Sequence, residues 1–178
     1  MPQPLPDTPN DLERDAVFGA LYPQLRRIAH GQLQRNEPIT LLDTTGLVHE
    51  FWLRFAENTG LPVDDRSRFL GYASRVMRFV VIDFVRQRHT QRRGGGLLQV
   101  TLDTAIAESA TLHDEQLLRL HDALDQLAQV DARMVSIVEM RCFGGLSEIE
   151  IGKSLGVTDR TVRRQWQRAP ALLHAAMV

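Results

Sequence analysis

Apolar residues recur at helical spacing along most of the chain. From Asp11 to Arg35, Val17, Leu21, Leu25 and Ile28 fall on one stripe. A second helix follows Asp43, with Leu47, Val48, Phe51, Trp52 and Phe55 on one face. A third long stretch runs from about Arg66 to Arg92. Gly94-Gly95-Gly96 then opens a polar passage with little periodicity, which reads as a flexible linker over 94–111. Four shorter helices are expected beyond it: Leu112 to Ala128, Asp131 to Cys142, Ser147 to Ser154, and Asp159 to about Ala169. No alternating pattern of strand length persists. The predicted fold is all-α: two small helical domains, 11–93 and 112–178, joined by the linker and preceded by a disordered tail over 1–10.

Composition narrows the class. With 178 residues, 43% of them hydrophobic and 24% charged, the chain is long enough for one ordinary folded domain or two small ones. Cys142 is the only cysteine, which excludes an intramolecular disulfide or a Cys-pair zinc site and fits a reducing cytoplasm. The four prolines between Met1 and Asn10 do not read as a signal peptide, and no run of about 18 apolar residues exists to span a bilayer. A cytoplasmic protein without a membrane partner is expected.

Charge changes the picture more. The formal net charge is −1, yet Arg66 to Arg93 carries +7 and Asp103 to Asp131 carries −6. Lys153 is the sole lysine among the 21 basic residues; the rest are arginine, which forks onto phosphate and stacks on bases. Such segregation favours a nucleic-acid face beside a surface that avoids nucleic acid.

Two segments carry candidate chemistry. Ser147-Glu148-Ile149-Glu150 is a capping box opening a short helix that breaks at Gly156, and Thr158 caps the next helix. A small residue at Gly152, a turn at Gly156 and apolar Val157 and Val162 make helix-turn-helix spacing, although a plain helical hairpin shares it. Val162 and Trp166 fall on the buried side of the second helix. Arg160, Arg163, Arg164, Gln167 and Arg168 cover the remainder, beside Thr158 and Thr161 at its start. Arginine and glutamine suit guanine and adenine edges as well as phosphates. Pro170 should kink or end this helix. In the third stretch, Phe69, Ala73, Val76, Val80 and Phe84 share an apolar face. Arg68, Tyr72, Arg75, Arg78, Phe79 and Arg86 gather opposite. Guanidinium groups interleaved with rings suit a single nucleic-acid strand; the alternative is that Tyr72 and Phe79 simply pack against the first helix.

The order of these parts resembles the extracytoplasmic function (ECF) group of sigma-70-type sigma factors. Asp43 to Phe55 resembles that family's polymerase-binding helix. Phe69 to Arg86, with its Asp83-x-x-Arg86 pair, resembles the promoter-melting helix. Glu148 to Val162 resembles the −35 helix-turn-helix. The resemblance implies a factor that directs bacterial core RNA polymerase to promoters and initiates transcription. Asp43, Leu47, Glu50, Phe51 and Arg54 would dock on the clamp of the largest subunit, and the downstream domain would meet the flap region. Arg68, Tyr72, Arg75, Arg78, Phe79, Asp83 and Arg86 would hold the −10 strand. Thr158, Arg160, Thr161, Arg163, Arg164, Gln167 and Arg168 would read the −35 duplex. It also implies that the acidic passage 103–131 lies near the polymerase's RNA exit path and active centre, where negative charge would mimic nucleic acid, and it admits an anti-sigma factor as partner.

Two positions depart from the family pattern. Phe79 stands where an asparagine is usual, which points to an altered −10 base preference. Thr44, Thr45 and Gly46 stand where the polymerase-binding helix normally begins with acids. Here the chain resembles a subgroup activated by a serine/threonine kinase. A phosphothreonine at Thr44 or Thr45 would add about −1.5 to −2 charges at a helix N-terminus. The competing reading is a helix-turn-helix regulator acting without polymerase, which leaves the 43–55 and 69–86 segments unused. Neither a metalloprotease helix nor a phosphate-cradling glycine loop is present, so no enzyme activity and no cofactor or metal site are expected.

Overall fold

The computed structural model describes residues 9–35, 42–57, 65–93 and 104–177. They form six helices: α1 (Pro9–Arg35), α2 (Thr44–Ala56), α3 (Arg66–Arg93), α4 (Thr104–Val138), α5 (Glu148–Leu155) and α6 (Asp159–Met177). A π turn, Glu139–Phe143, continues α4. Among the described residues there is no strand, as the periodicity requires.

The sequence marks most boundaries by capping. Asp43 accepts a hydrogen bond from the Gly46 amide at 2.6 Å and starts α2. Ser147 and Glu150 close the expected capping box at the head of α5. Asp131 has non-helical backbone (φ −144°, ψ 79°), and its carboxylate accepts from the Met134 amide at 2.9 Å. The expected break before Asp131 is therefore a kink with its own cap. Two expectations fail. Thr104 to Thr111, assigned to the linker, is already helical, while the rest of that linker and most of the N-terminal tail lie outside the described residues. α6 runs through Pro170 to Met177. Trp166, Ala169 and Leu173 pack in one cluster with Leu124, Leu127, Met134 and Val138, and that burial holds the helix across the proline.

α3 is the central element. Leu70, Met77 and Ile82 are fully buried in a cluster with Leu25 of α1 and Leu47, Phe51 and Phe55 of α2. The same cluster continues into Leu117, Ile137, Met140, Leu146, Ile151 and Val162, so residues of both expected domains share one core. Buried polar groups tie its edges. Gln32 donates to the Ser74 carbonyl at 2.9 Å, and Arg14 donates to the Phe55 and Ala56 carbonyls at the end of α2. A cation there also meets the negative end of the helix dipole.

The crossing of α5 and α6 depends on two glycines. Gly156 has φ +66°, the left-handed conformation that L side chains resist. A Cβ on Gly152 would lie 2.7 Å from the Val157 carbonyl oxygen. We therefore expect Gly152→Val to cost about 1–3 kcal/mol in urea unfolding by overpacking, whereas Gly19→Ala, with open space at its Cβ, should leave stability unchanged or raise it by up to about 1 kcal/mol.

Candidate nucleic-acid interface

α6 presents a basic face by the same packing that anchors it. Val162 is fully buried and Trp166 half-buried, so Arg160, Arg163, Arg164, Gln167 and Arg168 are left exposed, with Thr161 half-buried beside them. Thr158 is exposed, and its hydroxyl accepts from the Thr161 amide at 3.3 Å. Arg160, Arg164 and Arg168 form no ion pair with any described residue. Arg163 differs. Its Nε and Nη2 both reach Glu148 Oε2, at 2.9 and 2.8 Å. Glu148 also accepts from Arg141 at 3.0 Å, and Arg141 lies 4.9 Å over the Trp166 ring. The hydrogen bond from Arg163 holds the Glu148 carboxyl below the ordinary carboxylate range and raises Arg163 in turn. Glu148 thus restrains a side chain on the facing helix, which sequence spacing alone did not reveal.

α2 divides its expected contact residues. Leu47 and Phe51 are wholly buried, packed against α1 and α3, and offer no surface to a partner in this structure. Their spacing with Val48 and Phe55 already placed them on the apolar stripe. Asp43 and Thr45 are exposed, and Thr44, Glu50 and Arg54 are half-buried. Leu53 is 46% exposed on the opposite face; its offset from the Phe51–Phe55 stripe is the signal that could have added it to the candidates. No acid occupies the first turn of α2. Arg54 pairs with Asp83 of α3 at 2.8 Å, so one member of each expected site meets in an open groove that Glu50, Phe84 and Arg86 also line.

α3 gathers the expected strand-binding residues, but not as an open face. Arg68 is exposed beside Asp65 at 3.8 Å. Tyr72 is half-buried against Phe51 and Phe55 of α2. Arg75 and Arg86 are exposed, and Phe79 is half-buried with Arg75 and Arg78 over its ring at 5.8 and 4.8 Å. Arg78 is 2% exposed, not the solvent-facing cation expected. Its Nη2 donates to Glu139 Oε1 at 2.6 Å, and Glu139 is itself 3% exposed. Its Nη1 meets the Nδ1 atom of His121, also buried. A guanidinium can only donate, so Nδ1 carries the lone pair and the Nε2 proton faces Asp125 at 3.5 Å. Burial first, and then Arg78, push the His121 pKa below its ordinary 6.5. Sequence spacing does not single out Glu139 and His121 as partners of Arg78. Glu139 is the lone acid in the apolar run Met134 to Met140, and His121 shares the stripe of Leu117 and Leu124.

A sequence model of the family described as ECF sigma factor matches residues 8–178. The chain belongs to the ECF sigma factors. Searches of curated proteins and of solved structures gave no match. ECF sigma factors are initiation factors that direct RNA polymerase to promoters, not enzymes, and membership makes core polymerase and promoter DNA the partners of this chain. Among the described residues, no helix is long and apolar enough to cross a membrane.

In this sigma factor the Arg78–Glu139 pair lies between α3 and the π turn, and removing one partner of a buried pair typically costs about 3–5 kcal/mol. Glu139→Gln should lower unfolding stability by that amount in denaturant titrations. A neutral His121 between Arg78, Arg86, Asp122 and Asp125 is a second stabilising condition. Its folded-state pKa is depressed, so its contribution is complete above about 6.5 and is lost as pH falls below that value. The melting temperature should accordingly drop between neutral and mildly acidic pH, before the carboxylates titrate, and His121→Gln should flatten that drop.

Proposed function

We propose that this ECF sigma factor grips a promoter at two places, with α6 reading the −35 duplex and the basic, aromatic face of α3 holding the −10 strand. The observation that carries the reading is the row Arg160, Arg164, Gln167 and Arg168, all exposed on one helix whose other side is buried through Val162 and Ala169. The first helix of the pair and its glycine turn support α6 from behind, which fits a helix-turn-helix set into a major groove. Arg163, braced by Glu148, has less freedom than its neighbours and suits a contact of fixed geometry.

Docking on the polymerase clamp falls to the outer face of α2, through Asp43, Glu50, Leu53 and Arg54. Leu47 and Phe51 serve it from within by fixing the helix. The first turn has a cap but no charge beyond Asp43, and Thr45 is exposed there. A phosphate on Thr44 or Thr45 would sit at the positive end of the α2 dipole and supply the missing anion. The regulatory reading is that a serine/threonine kinase licenses polymerase binding.

In vitro transcription with bacterial core polymerase tests both parts. Arg164→Ala should weaken recognition of the −35 element by about 1–3 kcal/mol if it meets a base edge, without changing binding to core enzyme. Protein phosphorylated at Thr44 or Thr45 should bind core polymerase at least tenfold more tightly, about 1.4 kcal/mol, than the same preparation after phosphatase treatment. Equal affinity of the two samples would remove the switch and leave the sigma assignment untouched.

A further inference from the structure

The cations of α3 are already occupied from within the chain. Glu139 meets Arg78 at 2.6 Å and Arg75 at 4.0 Å, Asp125 meets Arg78 at 3.9 Å, and Asp122 meets Arg86 at 3.7 Å. Asp114 pairs with Arg88 further along. Between these carboxylates the His121 ring stands edge-on to Phe79, centroids 5.4 Å apart and planes at 89°. Acids spaced along one face of α4 and the π turn, with a planar ring among them, present what a single nucleic-acid strand presents: anionic groups at intervals and a ring for the aromatic side chain.

The fit is close without being the best one for stability alone. Arg78 is sealed from water, yet its Nε has no hydrogen-bond partner among the described residues, a cost that an apolar pair at this place would avoid. The outer carboxylates, Asp122 and Asp125, are more than half exposed, so their attachments are weak and separable. Glu139 sits just before Met140, whose side chain lies where a Cβ on Gly71 would fall, and a Cβ on Gly144 would strike the Ser74 hydroxyl of α3. The cover is therefore seated by close backbone packing, not by charge alone.

We propose that the acidic face of α4 and the π turn is an internal competitor for single-stranded DNA: it occupies the strand-binding face of α3 in the free chain, and the −10 strand binds only when this face is displaced. The inference rests on the reading of α3 as a strand-binding helix and adds what fills it beforehand. Two occupants of one face exclude each other, so the apparent dissociation constant of the strand is its intrinsic value divided by the open fraction.

Fluorescence anisotropy with the full chain and a short labelled single-stranded DNA of mixed sequence, at fixed salt, tests this. Asp122→Asn combined with Asp125→Asn keeps the buried pair and the fold, and should tighten binding roughly tenfold by raising the open fraction. Asp15→Asn combined with Glu57→Gln makes the same change of net charge on exposed positions of α1 and the end of α2, and should give little gain. Adding Arg75→Ala to the Asp122/Asp125 variant should cancel its gain. If Arg75→Ala weakens binding by the parent chain while the Asp122/Asp125 variant binds no tighter, the face binds DNA but is not covered, and the competitor is refuted alone. If both pairs of neutralised acids give equal gains, the effect is net charge and the competitor is likewise refuted. If Arg75→Ala changes nothing in any background, the strand-binding reading of α3 fails as well.

Discussion

The contact between Arg78 and Glu139 holds together the two halves of the molecule that the chain order keeps apart. Both side chains are withdrawn from water, and each is tolerable there only because the other is present. The pair sits where the middle of α3 meets the turn that ends α4, next to the apolar contacts of Met77, Ile137 and Met140. A well-packed apolar pair could hold these elements at least as firmly. What an ion pair adds is a conditional bond, since once parted each charge is stable only in water or against a new counter-ion.

That condition gives the distribution of charge along the chain a structural meaning. A basic α3 and an acidic 103–131 passage cancel in the total. In space, acids of α4 and the π turn face cations of α3, which no count of residues discloses. The likeness to ECF sigma factors led to the expectation that the acidic passage belongs near the polymerase's RNA exit path. In the free chain Asp114, Asp122 and Asp125 of that passage are instead directed at Arg88, Arg86 and Arg78. The expected placement concerns the polymerase-bound state, and these contacts concern the free chain. The exposed row on α6 is of another kind, because its free arginines face solvent and require no displacement.

Much of this was legible before any coordinates. Helical spacing gave the elements, and the capping box at Ser147 and the cap at Thr158 gave two of their starts, because both depend on neighbours within a few residues. The turn at Gly156 was legible for the same reason. What was hidden depends on partners distant in sequence. Nothing near Arg78 announces that Glu139, sixty-one positions away, will bury it. Pro170 looked like a terminator because local chemistry says so, and it was overridden by Trp166 and Leu173 packing on α4. Leu47 and Phe51 fit both the apolar stripe and the family's contact surface by sequence, and a residue fully inside the core serves only the first role in this structure. Glu148 went unnoticed as a brace because its partner stands on the facing helix.

Closure of α3 by α4 in the free chain, and its opening by the transcription machinery, would change the distance between the two helices. Paired spin labels at Gln87 and Gln126, exposed positions on α3 and α4 next to the Arg86–Asp122 pair, with Cys142 replaced by serine, measure it directly. Closure in the free chain predicts one narrow short distance, replaced by a longer one when core polymerase and promoter DNA are added. An unchanged distance in a complex that is actively initiating transcription would contradict it.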